Sequence, residues 1–106
     1  MLPISKVENL ILKHSQLERE LSATNIDKKN FAEKSKEYSD LNEIIKDAKK
    51  YLSFEAEKID LEKILNDPNT DEELKKMADH ELSDLKSLYE KNEKKLKLFL
   101  LPKDEA

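Results

Sequence analysis

The chain has 106 residues, 42% of them charged and 37% hydrophobic, with neither Gly nor Cys; this fits one small domain and excludes a disulfide framework, a thiolate zinc site, thiol catalysis and Gly-dependent phosphate loops. Twenty basic residues against 24 acidic ones give a net charge of -4, and Arg19 is the sole arginine, so the usual bidentate reader of phosphate and guanine is nearly missing. Sequence-specific nucleic-acid binding is therefore disfavoured, and the opening MLPISKVENLILKHSQ has too short an apolar run for a signal peptide or membrane span, so a cytoplasmic location is expected.

High charge and few aromatics are also the composition of disordered chains, so the decision rests on how the apolar residues are spaced. Val7, Leu10, Ile11, His14, Leu17 and Leu21 recur at three- and four-residue steps, which predicts a first helix over about 5–23. Ser5 with Glu8 has the spacing of a capping box at its start, and Asn25 after Thr24 is the candidate left-handed cap at its end.

A second helix is expected over about 27–66. Phe31, Tyr38, Leu41, Ile45, Ala48, Leu52 and Ile59 follow a heptad-like spacing, with Lys34 and Glu55 as lapses. Ile44, Tyr51, Phe54, Leu61, Ile64 and Leu65 widen the stripe, as for a helix touching more than one neighbour. One long helix is the simplest reading, with a break near Ser53 as the alternative. Asp67-Pro68-Asn69-Thr70 then marks a hairpin turn, because Pro ends a preceding helix, and Thr70 with Glu73 spells a second capping box.

The third helix, about 71–100, carries Ala78, Leu82, Leu85, Tyr89, Asn92, Leu96 and Phe99 as a coiled-coil-like seam with one polar member. Charge supports it: residues 67–84 hold seven acids and two lysines, and residues 86–103 six lysines and two acids, the order that suits the helix dipole. The expected fold is all-α, an elongated antiparallel three-helix bundle in which a long hairpin of the second and third helices projects past the first.

No catalytic constellation is visible. His14 and His80 each have a carboxylate four residues on, Glu18 and Asp84, but neither follows a Glu by three positions, so the Glu-x-x-His pattern of di-iron bundles is missing and His14 is expected to pack in the core. Asp71, Glu72 and Glu73 suit a helix start better than paired acid–base chemistry. Lys28-Lys29 and Lys94-Lys95-x-Lys97 are diluted by Asp27, Glu33, Glu90 and Glu93 and lack an aromatic row, so they read as solvated faces; no metal or cofactor is expected.

The tail Leu98-Phe99-Leu100-Leu101-Pro102-Lys103-Asp104 resembles the end of the N-terminal helical domain of bacterial class I peptide chain release factor 1. Lys36-Glu37-Tyr38-Ser39-Asp40-Leu41, Leu65-Asn66-Asp67-Pro68 and Met77-Ala78-Asp79-His80-Glu81-Leu82 are similar to segments of that domain in the same order, so the resemblance extends over essentially the whole chain. It implies a helical domain over 1–101 and, over 102–106, the start of a linker to a decoding domain absent from this sequence, with Pro102, Lys103 and Asp104 at the boundary. Family members read UAA and UAG in that further domain and promote peptidyl-tRNA hydrolysis with a Gly-Gly-Gln loop, which a Gly-free chain does not contain. The resemblance thus implies a non-catalytic arm that contacts the GTPase-associated region of the large ribosomal subunit and influences cooperation with the class II release-factor GTPase. The rival expectation is a free-standing helical adaptor or self-associating coiled coil that uses the third helix's seam, with Asn92 at the dimer interface.

Overall fold

The computed structural model describes residues 2–23 and 25–102, and these form four helices and no strand: α1 (Ile4–Leu21), α2 (Lys28–Asn42), α3 (Ile45–Asn66) and α4 (Glu72–Leu100). The described residues extend over 61 × 34 × 19 Å with a radius of gyration of 18.7 Å. A compact chain of this length would have a radius of about 13 Å, so the expected elongation is present.

The start of α1 differs from the expected capping box. Ser5 and Glu8 both lie inside the helix, Pro3 is the cap residue, and no side chain bonds the cap. Pro is suited to this end because its φ is already helical and it has no N–H to leave unpaired. Leu2 and Val7, on either side of the cap, are 6% and 0% exposed and share the core, the arrangement of a hydrophobic staple. Two buried apolar groups thus set the entry angle in place of two exposed polar ones. At the other end the Ser22 hydroxyl donates to the Glu18 carbonyl at 2.9 Å and the Ser22 N–H to the Glu18 and Arg19 carbonyls, so α1 closes by itself. Asn25 is not a left-handed cap, since no described residue has positive φ, and Thr24 lies outside the described residues.

The single second helix expected over 27–66 is two helices, and the break is at Glu43–Ile44 rather than near Ser53. The N–H groups of Glu43 and Ile44 bond three residues back, to the Asp40 and Leu41 carbonyls, so the ladder tightens for two residues before Ala48 resumes on Ile44. No Pro or Gly marks the site; tertiary contacts decide it. Glu20 meets Lys34, Glu18 meets Tyr38 and His14 meets Asn42, so α2 lies antiparallel along the C-terminal half of α1. Leu2 and Val7 instead pack with Ile44, Ala48 and Tyr51 of the following helix. The bend lets α2 and α3 cover successive halves of α1. Leu41 and Ala48 of the heptad-like stripe are buried and Tyr38, Ile45 and Leu52 half-buried, the widening residues Ile44, Tyr51 and Phe54 are buried as well, and only Phe31 and Ile59, toward the two ends, are exposed at 48% and 49%.

Asp27 caps α2 by accepting from the Asn30 N–H at 2.8 Å. At the hairpin turn the Asn69 N–H donates to the Asp67 carboxylate and the Thr70 N–H to the Asp67 carbonyl. The second expected capping box is displaced by one residue, because the Asp71 carboxylate, not the Thr70 hydroxyl, accepts the Leu74 N–H at 2.8 Å. A charged acceptor at a helix N-terminus is favoured over a neutral one by the dipole. Asp71→Ala should therefore lower stability by about 1 kcal/mol in urea melts, while Thr70→Ala should change it by less than about 0.5 kcal/mol.

The α4 helix runs antiparallel to α3: Asp47 faces Lys95, Tyr51 faces Glu93 and Tyr89, and Phe54 stacks on Tyr89. Every residue of the expected seam is buried or half-buried against the rest of the chain. α4 stops at Leu100 because Pro102 disfavours helical geometry in the residue before it, and Leu101 is extended with ψ 141°.

Candidate functional surface

Two polar knots hold the helices in register, and neither has the geometry of a catalytic centre. The first lies between α1 and α2. His14 is 8% exposed, its Nε2 is 2.6 Å from Asn42 Oδ1, and its ring stacks on Tyr38 with centroids 4.7 Å apart. Its Nδ1 is 3.7 Å from Glu18, whose carboxylate also accepts the Tyr38 hydroxyl at 2.8 Å and holds that phenol above its ordinary range. One turn on, Lys34 donates to Glu20 and lowers that carboxyl. His14 is thus the packing residue that its place on the apolar stripe predicts. Its potential metal partner Glu18 is engaged by Tyr38.

The second knot joins α3 and α4. The Tyr89 hydroxyl donates to the Tyr51 hydroxyl at 3.0 Å, which donates to Glu93 at 3.1 Å, and Lys97 closes the chain on Glu93 at 3.3 Å. Tyr51 is 4% exposed, and its phenol is raised first by burial and then by the bonds to Tyr89 and Glu93. Burial alone would raise Glu93, but the bonds from Tyr51 and Lys97 outweigh it and the carboxyl is lowered. Sequence spacing places Tyr89, Glu93 and Lys97 on one face of a helix; Tyr51 is 38 residues from Tyr89, and only the tertiary fold brings it in.

The other candidates are dispersed. His80 and Asp84 face each other at 3.3 Å on the surface of α4, with side chains 79% and 70% exposed. Of the acidic triplet, Asp71 caps α4 and Glu72 and Glu73 lie exposed in its first turn. Lys95 faces Asp47 and Lys97 faces Glu93, while Lys28 and Lys29 are exposed at the start of α2. Asn92 is buried within the monomer at 2% exposure, so the seam intended for a dimer in the adaptor reading is covered by α3. Pro102 is exposed just past α4; Lys103 and Asp104 lie outside the described residues. Among the described residues no helix is long and apolar enough to cross a membrane.

The described residues are helical and elongated and hold two structural knots, and the sequence matches the family model described as the PCRF domain over residues 10–106. The chain belongs to the PCRF domain family. The resemblance of this PCRF domain to the N-terminal domain of bacterial peptide chain release factor 1 holds along its whole length. It is 67% identical to peptide chain release factor 1 of Pelagibacter ubique over 106 residues, which are 100% of this chain and 30% of that protein. It is 42% identical to the protein of that name from Wolbachia pipientis over 95% of the chain and 28% of the relative, and 41% identical to that of Agathobacter rectalis over 93% and 28%. The PCRF domain thus spans less than a third of the length of these curated relatives. No solved structure matches it.

Proposed function

We propose that this PCRF domain is the non-catalytic N-terminal arm of a translation termination factor that reads UAA and UAG through a separate decoding domain. The 67% identity with peptide chain release factor 1 across all 106 residues carries the reading. The physical form suits it: a rod 61 Å long can bridge two distant surfaces, and a Gly-free chain supplies no Gly-Gly-Gln loop for peptidyl-tRNA hydrolysis. In this proposal the arm, with α3 and α4 as a coiled-coil-like lever, works in the cytoplasm and contacts the GTPase-associated region of the large ribosomal subunit. Through that contact it influences cooperation with the class II release-factor GTPase. Pro102, Lys103 and Asp104 mark the boundary with the decoding domain, and the extended Leu101 ends α4 just ahead of it.

The test adds the purified chain to ribosomes halted at UAA with labelled peptidyl-tRNA and, separately, titrates fluorescent chain with isolated subunits. No peptide release and saturable binding to large but not small subunits are expected. Peptide release above background, equal binding to both subunits, or no binding to the large subunit would overturn the proposal.

A further inference from the structure

The α3/α4 hairpin is strongly polarised. Residues 55–84, its far half, hold eleven acids and four lysines, while residues 45–54 and 85–100, its near half, hold eight lysines and three acids. Across the junction of the two halves, two adjoining clefts that share Glu57 and Leu85 form one groove along the same side of the hairpin, the smaller about 20 Å³ and on the near side, the larger on the acidic side. Its floor is apolar, made by Phe54, Leu61, Leu85 and Leu88. Its far rim is acidic, made by Glu57, Asp60 and Glu81 around a cleft of about 310 Å³. Lys50 and Asn92 close the near end. From Glu81 to Asn92 the groove follows α4 for about 16 Å, three helical turns.

The rim charges are unspent: none of Glu57, Asp60 and Glu81 is in an ion pair among the described residues, and Glu57 has only the Ser53 hydroxyl at 3.2 Å. Two helices alone cannot cover the groove floor, and Leu88 is 36% exposed. An apolar floor whose lining follows α4 for three turns, with its acids gathered at the far end, fits a helix that lays a narrow apolar stripe along the floor and carries Lys or Arg at the end facing Glu57, Asp60 and Glu81. In a second copy of this chain the apolar face of the lysine-rich part of α4, with Asn92 and Leu96, is already buried and is not free to enter the groove.

We propose that this groove is a docking site for a cationic amphipathic helix of another protein, anchored by apolar side chains on Leu61, Leu85 and Leu88 and oriented by Glu57, Asp60 and Glu81. The inference goes beyond the termination reading and is tested without ribosomes. The probe is a peptide of about 18 residues with Leu at i, i+3, i+4 and i+7 spacing and Lys elsewhere, set against the same peptide with Glu for Lys. Methyl and aromatic NMR shifts of the chain should change at Phe54, Leu61, Leu85 and Leu88 with the Lys peptide and not with the Glu peptide. The double charge reversal Glu57→Lys/Glu81→Lys, on exposed side chains, should keep the helical circular dichroism, weaken the Lys peptide about tenfold or more and invert the preference. Unchanged affinity in that variant, equal binding of both peptides, shifts centred elsewhere, the same shifts with a short RNA hairpin, occupation of the groove by a second copy in sedimentation, or no binding at about 1 mM peptide would each overturn the proposal.

Discussion

Leu96→Ala should lower the unfolding free energy by about 2–5 kcal/mol, the largest loss expected from a single aliphatic truncation in this chain. Leu96 is 0% exposed and packs with Leu2, Val7, Ile44, Ala48 and Tyr51, where α1, α3 and α4 converge. The small neighbour Ala48 has no rotamer with which to fill the vacated space, so both lost transfer energy and a residual cavity contribute. A domain of this size has roughly 5–15 kcal/mol in total, so the variant should melt on the order of 10–20 °C lower by circular dichroism. Leu98→Ala is the control two residues on: Leu98 is 69% exposed, and its truncation should stay within about 0.5 kcal/mol. Equal losses in the two variants would show that α4 does not bury the face that carries Leu96.

Tyr51 should be at least as sensitive as Leu96, and its two substitutions separate shape from polarity. Tyr51→Ala removes a ring stacked on Tyr89 at 4.6 Å together with the hydroxyl chain, and should cost about 3–5 kcal/mol. Tyr51→Phe keeps the stack and should cost about 0.5–1.5 kcal/mol, because Glu93 retains Lys97 and the Tyr89 hydroxyl can find water. The pH profile identifies the hydroxyl. Above pH 10, the ordinary value of the phenol, the unfolded chain loses a proton that the folded chain keeps, so parent stability should fall with rising pH and Tyr51→Phe should fall less. At the acid end Glu93 is lowered, so its contribution is present above about pH 4.5, its ordinary value, and is lost as pH falls through the native value. Tyr51→Phe removes one of the two bonds that lower Glu93 and should make that acid limb shallower as well. A phenylalanine variant with the parent's slope at both ends would exclude the Tyr89–Tyr51–Glu93 chain.

The elements differ in how far they were legible. For α1, each of the six stripe residues from Val7 to Leu21 is buried or half-buried, because one short helix lying on a single layer of neighbours has only one face to hide. The seam of α4 is equally intact, and the release-factor resemblance rested on segments of α2 and α4, on the hairpin turn and on the tail from Leu98 onward. The middle segment was harder. A heptad continued across 27–66 assigns Phe31 and Ile59 to the core along with Leu41 and Ala48; the latter two and the widening residues Ile44, Tyr51 and Phe54 are buried, but Phe31 and Ile59, toward the ends of the segment, are exposed, and nothing local announces the bend at Glu43–Ile44. Helix ends also shifted where two local solutions competed: the staple of Leu2 on Val7 prevailed over Ser5/Glu8, and Asp71 over Thr70. The acid-rimmed groove had no sequence signature, since its walls come from two helices joined only by the fold.

By itself, the sequence determined an all-helical chain, the hairpin turn at Asp67–Thr70, the apolar faces of α1 and α4, and membership in the release-factor domain family. Helical periodicity and Pro punctuation are local, and residues a few positions apart carry them in full. Only the tertiary structure decided where the middle helix bends, which of its apolar residues face α1 and α4, and that Tyr51, Tyr89 and Glu93 form one hydrogen-bonded chain. The hydrogen-bonded chain joins partners 38 and 42 residues apart, the α1–α2 contacts partners 14 to 28 apart, and burying the two ends of α1 at once outweighs the continuity of a single helix.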